Sequence, residues 1–156
     1  MKLLKRILTG CIVTASCLLV FSCNHSVVSD EIAFTCANGN SIVYDWGFFG
    51  DASVFYKESS GEKEKLCDYL YADSNERMEI KVSDDSRIVS LFIHDSSDTE
   101  KYPHGTALYM FKMNLDGDLS IESKEIVTDV KVKSVSEVTS STIVYITDEG
   151  SATKTF

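Results

Sequence analysis

The chain has 156 residues, with 24 Asp and Glu against 15 Lys and Arg, for a formal charge of −9. That balance argues against nucleic acid and broad anionic lipid faces as partners, because binding them rests on neutralisation by Lys and Arg. A chain of this size buries about two-thirds of its unfolded surface, so one domain can hold together without staples, and no repeat or low-complexity segment interrupts it.

Met1 to Asn24 comes first. Lys2, Lys5 and Arg6 precede an apolar run, Ile7 to Phe21, of 15 residues. A membrane-crossing helix needs about 20, so the run reads as the core of a secretory signal. Val20-Phe21-Ser22-Cys23 resembles the lipobox of bacterial lipoproteins: Ser22 and Cys23 match, Val20 replaces the usual Leu, and Phe21 is bulky for its place. Thr14-Ala15-Ser16-Cys17 is a competing box that would shorten the apolar run. The resemblance implies a signal peptide over 1–22, a lipidated Cys23 with a tether over 23–30, and a folded domain over 31–156. It also implies partnership with the lipid bilayer through acylated Cys23, since stable anchoring takes two or more chains. Asn24, which is not Asp, implies an outer-membrane location in the bacterial envelope by analogy with enteric lipoproteins. The tether reaches at most ~25 Å, which holds the domain close to the membrane.

Without Lys2, Lys5 and Arg6, the remainder carries 12 cations and 24 carboxylates, a surface suited to solubility or to a basic protein partner. Cys11 and Cys17 belong to the signal, which leaves Cys36 and Cys67. In an oxidising compartment this pair is expected to form a disulfide closing a loop of about 30 residues, worth ~3 kcal/mol; two buried free thiols are the other reading.

From Glu31 onward the apolar pattern has period two. Ile32, Phe34 and Cys36 alternate, as do Ile42, Tyr44 and Trp46, around the turn signal Asn38-Gly39-Asn40. A three-residue loop over Asn38–Asn40 would pair Cys36 with Ile42, Phe34 with Tyr44 and Ile32 with Trp46, all on one face. Further strands are expected over 52–56, 65–71, 78–82, 87–94, 106–113, 119–121, 126–135, 141–147 and 151–156. Apolar residues on both faces mark 87–94 and 106–113 as central. The spacing predicts an all-β fold: a single small antiparallel sandwich or barrel of about eight to ten strands.

Chemistry-bearing motifs are sparse. Asn114, Asp116, Asp118 and Glu122 partly match a calcium loop, but Gly117 is misplaced and Asp-Gly between apolar runs is an ordinary hairpin signal. His94, Asp95, Asp98, Glu100 and His104 flank one loop at no established metal spacing. G-x-S-x-G and glycine-rich phosphate loops are missing from the sequence. No catalytic residue, metal ligand or cofactor is therefore assigned, and the protein is read as a non-enzyme. Phe48 and Phe49, between Gly47 and Gly50, and Tyr102 are the candidate partner-binding aromatics.

Phe34-Thr35-Cys36-Ala37-Asn38-Gly39 is similar to the first strand of the membrane-bound c-type lysozyme inhibitors, small β-barrel lipoproteins. Their inhibitory Ser-Gly-x-Arg-Tyr loop has its nearest counterpart in Ser60-Gly61-Glu62-Lys63-Glu64, with Lys for Arg and Glu for Tyr, and Cys67 lies mid-chain rather than at the end. The acidic surface and short tether point to a non-enzymatic, protein-binding envelope lipoprotein of inhibitor or immunity type that binds through an aromatic-containing sheet edge or loop, and the resemblance is an analogy in the same direction. A structural envelope lipoprotein and a metal-binding or hydrolytic protein are the alternatives.

Overall fold

Alternation of apolar and polar residues produces strands because successive side chains leave opposite faces of the backbone. The structure, a computed structural model, describes residues 30–46, 51–70 and 77–156. These residues form eleven strands and no helix: β1 (Glu31–Thr35), β2 (Ser41–Trp46), β3 (Asp51–Lys57), β4 (Lys63–Leu70), β5 (Arg77–Val82), β6 (Ile88–His94), β7 (Ala107–Asn114), β8 (Ser120–Val127), β9 (Val132–Val138), β10 (Thr142–Thr147) and β11 (Gly150–Thr155). All pair antiparallel and in chain order. The first sheet is β1-β2-β3-β4, the second β5-β6-β7-β8 and the third β9-β10-β11. None closes into a barrel, so the all-β expectation resolves as a sandwich.

The second sheet is the middle layer. Val89, Leu91 and Ile93 of β6, with Tyr109, Phe111 and Met113 of β7, pack against the first sheet around Ile42, Val54, Tyr56 and Leu66. Ile88 and Phe92, with Leu108 and Met110, face the opposite way onto Val132, Val135 and Ile143 of the third sheet. Lys81 ties the two layers by donating its Nζ proton to the Val135 carbonyl. Each fully buried Leu, Ile or Phe contributes about 1.5–3 kcal/mol, and β6 and β7 supply such residues to both cores.

Three sequence expectations change. The first hairpin loop is Ala37–Gly39, closed by Cys36 N–H to Asn40 O at 2.8 Å, with Gly39 in the left-handed region at φ 87°. Phe34 therefore pairs with Ile42, and Cys36 lies opposite Asn40. The two-residue slip keeps the core face intact. A bulge at Ala33 then pairs Ile32 with Val43 and leaves Ile32 63% exposed, instead of opposite Trp46. The break expected at 122–125 lies at 128–131, because β8 pairs with β7 along its whole length and its charged residues suit an edge strand. Finally, Cys36 and Cys67 are buried free thiols. They sit near opposite edges of the first sheet, three strand spacings and therefore at least about 14 Å apart. A disulfide needs Cα atoms within about 7 Å, so the expected bridge is not formed.

Candidate functional site

The antiparallel meanders bring four turns to one end of the first two sheets: 36–40, 58–62, 83–87 and 114–119. Buried hydrogen bonds fasten three of them together. Tyr56, fully buried on β3, donates its hydroxyl proton to the Ser86 carbonyl at 2.8 Å and accepts from Asn40 Nδ2 at 3.1 Å. Asn40 Oδ1 accepts from Ser59 N–H at 3.3 Å, and Ser86 Oγ accepts from Asn38 N–H at 3.4 Å. Ser86 is fully buried and holds φ 63°, which presents its carbonyl to Tyr56.

The fourth turn joins through charge. Arg87 Nη2 donates to Asp116 Oδ1 at 2.7 Å, and this bond holds the Asp116 carboxyl below its ordinary value. Asp116 N–H in turn donates to Asn114 Oδ1 at 3.1 Å. The outer surface of this end carries exposed Glu62, Asp84, Asp85, Asp116 and Asp118. It is a braced, acidic platform. Burial raises the pKa of Tyr56 and that of Cys36. The Cys67 thiol is pushed up to about 12 by burial, which outweighs Lys124 and Lys101 nearby, so it stays protonated at neutral pH.

Compared with protein-family models, curated proteins and solved structures, the chain matches none.

Of the residues singled out in the sequence, Cys23, Phe48 and Phe49 lie outside the described residues. Tyr102 is a correction. It is 3% exposed, and its hydroxyl shares a 2.9 Å hydrogen bond with that of Tyr109, so it belongs to the core and presents no ring to a partner. His94 and His104 go separate ways: His94 Nδ1 lies 3.1 Å from Asp95 Oδ2, while His104 Nε2 lies 3.0 Å from the Asp129 carbonyl. Among the described residues no three His, Cys, Asp or Glu converge as a metal site. The calcium-like spacing also disperses, since Asp116 serves Arg87 and Glu122 pairs with Lys112 at 2.9 Å. Sequence reasoning missed Tyr56, Asn40 and Ser86 as a unit. Their turns were legible, but nothing in local spacing links residue 40 or 56 to residue 86.

Proposed function

We propose that this is a lipid-anchored, non-enzymatic binding module of the bacterial envelope, of inhibitor or immunity type, whose four-turn end receives a basic protein. The observation that carries this reading is the braced acidic platform, in which hydrogen bonds and one ion pair tie together the turns that carry the exposed carboxylates. Preorganised charge of one sign speeds encounter with an oppositely charged partner and selects against others. The chain enters β1 at the end of the first sheet opposite the 36–40 turn. Lys57 and Lys63, which flank the 58–62 turn, hold Asp30 at 2.8 and 2.9 Å at the start of the domain. A tether anchored at Cys23 holds the domain close to the bilayer, most suitably that of the outer membrane.

The test is crosslinking in intact cells with wild type and with Glu62→Gln/Asp84→Asn/Asp118→Asn. We expect a discrete basic partner whose yield drops about tenfold in the variant and falls with added salt. A yield unchanged by both would remove the platform from the reading. In the same cells, Cys23→Ser is expected to shift the protein out of the membrane fraction. Retention there would remove the lipid anchor.

A further inference from the structure

A second feature lies on the side where the first two sheets end. β4 is the last strand of the first sheet and β8 the last of the second. They meet where Lys124 Nζ donates to the Leu66 carbonyl at 3.2 Å. A cleft of about 320 Å³ opens along this seam. Cys67 and Tyr109, 7% and 5% exposed, form its floor. Lys65, Asp68, Lys101, Lys124 and Ile126 stand around it.

The charge of this cleft runs against that of the molecule. Carboxylates outnumber cations 24 to 15, so most lysines find a carboxylate. Among the described residues Arg77, Lys101, Lys124 and Lys131 stand outside any salt bridge, and Lys101 and Lys124 both line this cleft. Lys65 does pair, with Asp68 at 2.7 Å.

Both free ammonium groups are backed by aromatic rings. Lys124 Nζ lies 5.7 Å from the Tyr109 ring centre and 5.5 Å from that of Phe111. Lys101 Nζ lies 5.1 Å from the Tyr102 ring, and Tyr102 is joined to Tyr109 through their hydroxyls. Ring faces hold a cation in position without neutralising its charge. Asp68, the carboxylate of this lining, is engaged by Lys65 and Ser53, which leaves two ammonium groups in a concave place outside any ion pair. Beside them Ile126 is 45% exposed, one of two large apolar side chains shown as exposed among the described residues.

We infer that the β4–β8 seam binds a small amphipathic anion, with a phosphate or carboxylate held between Lys101 and Lys124 and its apolar part against Ile126. Charge-assisted hydrogen bonds from the two ammonium groups supply the polar contact, and the exposed isoleucine gains by burial. The site is independent of the acidic platform, which belongs to the turn end.

Calorimetric titration of the full chain, held in phosphatidylcholine bilayer discs, with hexyl phosphate tests this. Saturable binding is expected, weakened about tenfold in Lys101→Gln/Lys124→Gln, which is the loss of roughly one charge-assisted contact. Lys131→Gln, a lysine outside the cleft, should bind as wild type. Lys101→Gln alone leaves the Lys124–Leu66 bond intact, so its smaller loss keeps the test sound if the double variant folds poorly. Inorganic phosphate should bind more weakly than hexyl phosphate. If discs containing phosphatidylglycerol block hexyl phosphate, the natural source is a lipid headgroup; if they do not, it is a soluble anion. No saturable binding, equal binding of hexyltrimethylammonium, or binding that survives both lysine variants overturns the inference.

Discussion

Tyr56 has no accessible surface, yet its hydroxyl is shared between Asn40 and Ser86. Tyr56→Phe keeps the ring and leaves a buried amide donor and a buried carbonyl without that partner. A loss of about 1–3 kcal/mol is expected, read as a lower urea midpoint with an unchanged slope. Asp30 sets a pH dependence. Hydrogen bonds from Lys57 and then Lys63 hold its carboxyl below the ordinary 3.8. A group depressed in the folded state stabilises it fully above the unfolded value and loses that contribution as pH falls through the folded value. Asp30→Asn should therefore lower stability by about 1 kcal/mol at neutral pH, and the gap to the native chain should close below pH 3.8 in parallel denaturation curves. Neither role was visible in sequence. Asp30 reads as the last tether residue and Tyr56 as one more core aromatic, because their partners lie 16 to 33 residues away.

At the scale of elements, period-two alternation located most strands, and the two-sided apolar pattern of β6 and β7 marked them as central. Their backbone hydrogen bonds lie between two packed layers, so their amides open only with the whole domain. Hydrogen exchange should find β6 and β7 the most protected strands and the edge strands β1 and β11 the least. Fast exchange in β6 would contradict the three-layer arrangement. The misplaced break between β8 and β9 has a clear cause. Glu122 to Glu125 look like a turn by composition, but an edge strand accepts charges on its solvent side, and here Lys112 pairs with Glu122 and Lys154 with Glu125 across elements.

For the whole molecule, the sequence by itself determined the all-β class, the antiparallel connectivity implied by short turns, and the overall acidic charge. These are local or additive properties: side-chain alternation, turn residues and a count of charges. Only the tertiary structure decided the number of layers, the distance between Cys36 and Cys67, the burial of Tyr102, the joining of four turns into one platform, and the gathering of Lys101 and Lys124 from a loop and an edge strand into one cleft. Each depends on which strand becomes an edge and which faces meet. That choice is made by packing between residues dozens of positions apart, for which the linear pattern carries no spacing.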